Sequence, residues 1–267
     1  MDLLIQEKQR VLHLTLNRQS KRNALTAKMS LDLVEAIQQA QQRDDIGCIL
    51  LSAAGSVFCA GMDLDEAVDP DGPDLLAAHE NLFSIGATSL KPIVVSVNGA
   101  ALGGGLGLVA QGHVVMSSDL AVFGLPEIRI GLWPFVVYRA VEAALGKRRT
   151  LELSLTAYLL HPPEALQWGL VHKICPAVEL ADRSKALARE LAKTSPVALA
   201  AGMEYFHGSR GKSWNEAGDL AAELRAKLMA SEDFKEGIAA FKEKREPHWP
   251  SMPPAFYAQQ KPPSEHR

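Results

Sequence analysis

Three cysteines in 267 residues, Cys48, Cys59 and Cys175, lie far apart and in no metal-ligand spacing. They frame neither a disulfide scaffold nor a zinc site, and read as reduced, buried thiols of a cytosolic protein. There is no internal repeat and no long run of one charge sign. A net charge of −3 gives no electrostatic footprint for nucleic acid. The start, Met1-Asp-Leu-Leu-Ile-Gln-Glu-Lys, carries charges where a signal peptide needs an apolar run. The one long stretch without charge, 92–112, contains Pro92, Asn98 and a glycine run, which makes it a poor membrane span. What remains is a chain of ordinary apolar and charged content, long enough for one large domain or a domain with an appendage.

That uncharged stretch organises the rest. Pro92–Val97 is a short β-branched run that predicts a buried strand, and it feeds Gly103-Gly-Gly105 and an apolar segment. Consecutive glycines let backbone N–H groups approach a ligand closely, and at a helix N-terminus such amides are unpaired. An anion site, an oxyanion hole and plain close packing all satisfy this pattern. Gly105-x-Gly107-x-x-Ala110 with Asp119 imitates a dinucleotide fingerprint, but too few residues separate Ala110 from the next strand to form the required helix.

In chain order, Leu3–Gln6 and Val11–Leu16 predict a β-hairpin. Asn17–Leu25 is a polar loop whose Lys21 and Arg22 suit either solvent or a phosphate. Thr26 is placed to cap a helix with Met29, Leu31, Leu33, Val34 and Ile37 facing the core. Cys48–Ser52 predicts a strand, after which Gly55–Leu64 places Gly61 in an apolar loop, a second position for an amide aimed at a ligand. Asp69–Pro73 is turn chemistry and Leu75–Leu90 predicts a helix. Val114–Met116 and Ala121–Phe123 predict short strands. The loop 124–134 carries one acid, Glu127, among apolar residues. Such a carboxylate is either paired, with Arg129 at hand, or exposed, or desolvated into the range useful for proton transfer. Helices dominate from Val136 onward, and the six prolines after Glu246 predict an extended or disordered tail. Strands alternating with helices and then helices alone argue for an α/β fold with a C-terminal helical extension.

Taken together, several segments resemble the crotonase (enoyl-CoA hydratase/isomerase) superfamily over nearly the whole chain to about Trp249. They are Leu16-Asn-Arg with Lys21-Arg-Asn-Ala-Leu25, Phe58-Cys-Ala-Gly-Met-Asp-Leu64, Asn98-Gly-Ala-Ala-Leu-Gly-Gly-Gly105, and Phe123-Gly-Leu-Pro-Glu-Ile-Arg-Ile-Gly131 with Pro134. Leu155-Thr-Ala, Glu164-Ala-Leu-x-x-Gly-Leu-Val171 with Pro176, and Phe241-x-Glu-Lys-Arg245 follow in order. The resemblance implies a crotonase-like spiral of ββα turns over 1–195, a helical trimerisation region over 196–250 and a Pro-rich tail over 251–267. It implies a cytoplasmic homo-oligomer, a trimer or a dimer of trimers. The substrate would be an acyl-CoA thioester, with coenzyme A as part of the substrate and no separate cofactor, metal, nucleic acid or membrane span.

By position, Met62 and Gly104 would donate the two N–H groups of an oxyanion hole and Glu127 would be the acid/base. Lys21, Arg22 and Ala24 would lie along the CoA, and Ala60, Asp63, Leu64, Gly103, Trp133 and Phe135 along the substrate. Phe241 and Lys244 would reach the CoA of a neighbouring subunit. The chain departs from the hydratases at Gly107, where they keep a water-activating glutamate, and at Phe135, where they keep a glycine. This pattern resembles the Δ3-Δ2 enoyl-CoA isomerases. A hydratase drawing a second acid from Asp63, Glu66 or Glu80, and a non-catalytic acyl-CoA-binding subunit, are the alternatives.

Overall fold

The computed structural model describes residues 1–69, 71–72 and 74–258. A hairpin opens the chain, β1 (Leu3–Lys8) antiparallel to β2 (Val11–Leu16), and β2 then pairs in parallel with β3 (Cys48–Ala53). Between them runs α1 (Ala27–Gln41), started by Thr26, whose side chain accepts from the Met29 N–H. Met29, Leu33, Ala36, Ile37 and Ala40 repeat at helical spacing and are buried, each large side chain contributing about 1.5–3 kcal/mol. Leu31, expected on this stripe, is 51% exposed. It stands two residues from both Met29 and Leu33, which turns it about 200° away from each of them.

The same module then repeats three times. β3 is followed by β4 (Val57–Cys59), α2 (Leu64–Ala67) and α3 (Leu75–Leu82). Next come β5 (Ile93–Val97), β6 (Ala100–Leu102) and α4 (Gly104–Ala110). After them come β7 (Val114–Ser118), β8 (Val122–Gly124), a 3-10 turn at Glu127–Ile130 and α5 (Phe135–Leu145). In each turn the first strand joins a six-stranded sheet ordered β1-β2-β3-β5-β7-β9, with β9 at Lys173–Cys175. The second joins a three-stranded parallel sheet, β4-β6-β8. This is a spiral of ββα turns, and it stacks the loops after β4, β6 and β8 on one another.

The inner strands β3 and β5 of the large sheet are buried on both faces, with period-two alternation between them. Ile49, Leu51, Ile93 and Val95 enter the main core with Phe58, Phe123 and Leu125. Cys48, Leu50 and Val94 face Ala188 and Ala192 of a later helix. Cys48 and Cys59 are free and buried, and burial pushes both thiols up to about 12.

The helical part continues with α6 (Lys147–Thr156), α7 (Pro162–Trp168), α8 (Ala177–Ala192), α9 (Pro196–Gly208), α10 (Trp214–Met229) and α11 (Glu232–Glu243). Two expectations are corrected. The helix expected over Leu75–Leu90 stops at Leu82, because the Gln111 side chain reaches across, donating to the Phe83 carbonyl at 2.7 Å and accepting from Gly86 N–H at 2.5 Å. The described part of the tail is not simply extended. Buried Asp233 accepts from Ser195 Oγ and from Ser251 N–H and Oγ, Trp249 Nε1 donates to the Lys193 carbonyl, and α12 forms at Pro254–Ala258. The rest of that tail, 259–267, lies outside the described residues. Among the described residues no helix is long and apolar enough to cross a membrane.

Candidate active site

Two glycine loops meet where β4 and β6 end. Gly61, at φ +104°, turns the chain out of β4, and the turn is clamped by the Leu25 segment: Leu25 N–H donates to the Gly61 carbonyl at 2.7 Å and Asp63 N–H to the Leu25 carbonyl at 2.9 Å. Gly103, at φ +54° and ψ −119°, turns the chain from β6 into α4, a conformation open in practice only to glycine. Gly104 is then the first residue of α4, where an N–H has no partner within the helix. A Cβ built on Gly61 would lie 3.5 Å from Gly104 N, and one built on Gly104 would lie 3.6 Å from the Gly61 carbonyl carbon. The Gly61–Met62 peptide therefore packs against the Gly103–Gly104 peptide. Among the described residues neither Met62 N–H nor Gly104 N–H donates a hydrogen bond. Two free amides from different spiral turns converge here, and buried free amides attract an oxygen that carries or develops negative charge.

Glu127 begins the turn after β8 and comes to the same place. A Cβ on Gly103 would fall 2.9 Å from Glu127 Oε1, so the carboxyl abuts the glycine loop. Its Oε2 is buried without a hydrogen-bond partner among the described residues. Arg129, the nearest sequence candidate for an ion pair, instead donates to the Ala157 carbonyl at 2.9 Å. Burial raises the Glu127 pKa to about 7. An unpaired carboxyl poised near neutrality beside two free amides has the disposition of a general acid/base.

The next turn of α4 carries no second acid. At Gly107 a Cβ would fall 2.7 Å from Phe83 Cε1 and 2.8 Å from Val137 Cγ1, so apolar groups from α3's end and α5 fill the space a side chain would need. The three carboxylates considered as substitutes are placed otherwise. Asp63 is buried, caps α2 by accepting from Asp65 and Glu66 N–H, and pairs with Arg18. Glu66 accepts from Ala27 N–H at 2.9 Å, bracing the start of α1. Glu80 is exposed.

Of the residues expected along the substrate, the structure brings Ala60 and Gly103 to the paired loops together with Met62, Gly104 and Glu127. The Ala60 N–H donates to the Arg22 carbonyl at 3.0 Å, which ties the Lys21–Ala24 loop to the same edge. Buried Asn23 fixes that loop, its amide donating to the Ala54 and Val57 carbonyls. The Lys21 ammonium is exposed and pairs with Asp65 at 2.7 Å. The Asp63 side chain faces Arg18, and the Leu64 side chain is exposed. Trp133 is half-buried and stacks on Tyr138, whereas Phe135, at the start of α5, is 72% exposed. Phe241 and Lys244 lie on the surface at the end of α11. One group escaped the sequence reading: His79, buried on α3 with Nε2 unpartnered among the described residues. Its spacing with Leu75, Ala78 and Leu82 shows only that it lies on the apolar face, where most histidines are core residues.

Comparison with known proteins follows this geometry. The family model described as enoyl-CoA hydratase/isomerase matches residues 6–252. The mevalonyl-coenzyme A hydratase of Aspergillus fumigatus is 33% identical, covering 90% of this chain and 91% of its own. The 1,2-epoxyphenylacetyl-CoA isomerase of Escherichia coli K12 is 32% identical, covering 90% and 94%. The crystal structure of an enoyl-CoA hydratase from Mycobacterium smegmatis superposes with a TM-score of 0.87 at 26% identity, over 93% of this chain and 99% of that one. A hydratase at 33% identity and an isomerase at 32% do not separate the two reactions. Together with the family model they show the lineage: this chain belongs to the enoyl-CoA hydratase/isomerase family, the crotonase superfamily of enzymes.

Proposed function

We propose that this enzyme moves a carbon–carbon double bond in an enoyl-CoA from the 3- to the 2-position, with Glu127 as its single acid/base. The thioester oxygen accepts from Met62 N–H and Gly104 N–H. Glu127 carboxylate removes a proton from C2; the C–H pair moves into the thioester, and the enolate charge gathers on the oxygen between the two amides. Fixed donors stabilise that charge more than the neutral carbonyl, which lowers the barrier and not merely the ground state. The enolate then collapses, the double bond forms between C2 and C3, and C4 takes the proton back from Glu127. No water enters the balance. The Lys21–Ala24 loop is assigned to the CoA moiety.

One observation carries this choice over hydration: Phe83 and Val137 occupy the space beside Gly107, and Asp63 and Glu66 are committed elsewhere. Hydration needs a carboxylate to activate water opposite Glu127, and among the described residues neither position 107 nor the Asp63 and Glu66 side chains supply one. The test is a turnover comparison of 3-enoyl-CoA with 2-enoyl-CoA over several chain lengths. The 3-enoyl substrates isomerise and crotonyl-CoA hydrates weakly. Efficient hydration with 3-enoyl-CoA untouched contradicts the assignment.

The same packing sets the outcome of Gly107→Glu. The new side chain meets Phe83 and Val137, so the variant loses about 1–3 kcal/mol, as overpacked cores do. Thermal unfolding reads this as a fall of several degrees, with no gain in hydration. An unchanged Tm together with new crotonyl-CoA hydration would show that the space is open.

We further propose a homo-oligomer built on the C-terminal helices. Trp214, Met229, Phe234, Ile238 and Phe241 are all exposed on α10 and α11, and large apolar side chains left in water favour burial against another chain. Light scattering gives a mass of at least three chains; a monomer removes this assignment.

A further inference from the structure

Glu127 Oε2 and His79 Nε2 are both buried side-chain atoms without a partner among the described residues. A buried polar atom left unpaired costs about 1–3 kcal/mol, so its persistence in a site calls for a ligand that pairs it. His79 is 6% exposed. Its ring lies near the Leu25 carbonyl and packs on the Phe83 ring, with ring centroids 5.7 Å apart and planes inclined by 49°. Leu25 and Phe83 are also the two side chains that a Cβ on Gly104 would meet, at 3.0 and 3.3 Å. Met62 completes the enclosure from the other loop, packing on Leu75 and Ala78 of the helix that carries His79. The imidazole is thus one side chain removed from both amides.

Its protonation state follows from these neighbours. Burial lowers the His79 pKa, so the ring is neutral at physiological pH. A neutral imidazole carries its proton on one ring nitrogen only, and an Nε2 without it is an acceptor.

Resting on the acyl-CoA reading of the site, we infer that His79 Nε2 accepts a hydrogen bond from a hydroxyl on the acyl chain, so that the enzyme selects hydroxylated acyl-CoA thioesters over plain ones. His79 is here a specificity-determining residue, and the proton chemistry remains with Glu127.

Calorimetry with hexanoyl-CoA and with its 4-, 5- and 6-hydroxy derivatives tests this. Wild-type protein binds at least one hydroxy derivative tenfold or more tightly than hexanoyl-CoA. His79→Phe keeps an aromatic ring and removes the acceptor; it binds hexanoyl-CoA within a few-fold of wild type and loses the preference. His79→Gln, which keeps an acceptor oxygen, retains part of it. Equal binding of all four ligands by wild type, or a preference that survives His79→Phe, overturns the inference and leaves the acyl-CoA reading intact. Absence of binding to hexanoyl-CoA and all its derivatives overturns both. If His79→Phe fails to fold, His79→Gln against wild type decides: a preference unchanged in Gln alongside the loss of a preference in His79→Leu supports the acceptor role, and a preference unchanged in both refutes it.

Discussion

Glu127→Gln lowers the turnover of a 3-enoyl-CoA by about 10²–10⁴-fold, the usual worth of a positioned acid/base, while acyl-CoA affinity stays within a few-fold. The amide keeps the shape of the carboxyl but cannot take a proton, so the loss falls on kcat and not on binding. The wild-type pH profile reports the same group. Glu127 removes a proton only as carboxylate, and burial raises its pKa to about 7, so kcat/KM rises with pH and levels off above that value. Stability runs the other way. A carboxyl with a folded pKa above its unfolded one costs stability as pH rises from the unfolded value through the folded one. Glu127→Gln therefore gains stability over wild type at pH 8 and loses that advantage at pH 4. Denaturation at the two pH values checks this; the same difference at both would mean that Glu127 is solvated.

The second large effect belongs to Gly104. Gly104→Pro removes the N–H and nothing else of its polar chemistry, and the first position of a helix is where proline is best tolerated. Loss of one donor to a developing oxyanion costs about 10²–10³ in kcat. The expected result is a folded protein with its far-ultraviolet circular dichroism unchanged and turnover reduced to that extent. Full activity in a folded Gly104→Pro protein would reduce the glycine run to close packing. Gly103→Ala is harsher, because a side chain there is strained by the backbone and its Cβ falls 2.9 Å from Glu127 Oε1. That variant loses both stability and activity.

Much of this site was legible in the sequence. The glycine run after a buried strand announced a turn into a helix, Gly61 announced a second close backbone approach, and Glu127 stood alone among apolar neighbours. These are local signals, each written in the few residues around its own position. What remained unread is long-range. The Gln111 side chain that ends α3 at Leu82 comes from a different turn of the spiral, and nothing near Leu82 in sequence foretells it. The same is true of Phe83 and Val137 over Gly107: sequence reveals the absence of an acid there but not what fills the space. Asp63, Glu66 and Glu80 were equivalent in sequence, and only the partners Arg18 and Ala27 N–H distinguish two of them as structural. Leu31 shows the limit of counting apolar residues without placing each on the helical wheel. His79 was invisible because an unpaired ring nitrogen is a property of its surroundings, not of the apolar stripe it sits in.

The central claim is that one carboxylate carries one proton between two carbons, and isotopic labelling reads this directly. A 3-enoyl-CoA carrying two deuteriums at C2 is converted in ordinary water, and the product is analysed at C4 by NMR. The account predicts that part of the deuterium lost from C2 appears at C4, since the buried Glu127 exchanges its proton with solvent slowly enough to deliver it. A product whose C4 gains only solvent hydrogen, accompanied by 3-hydroxyacyl-CoA, would contradict it.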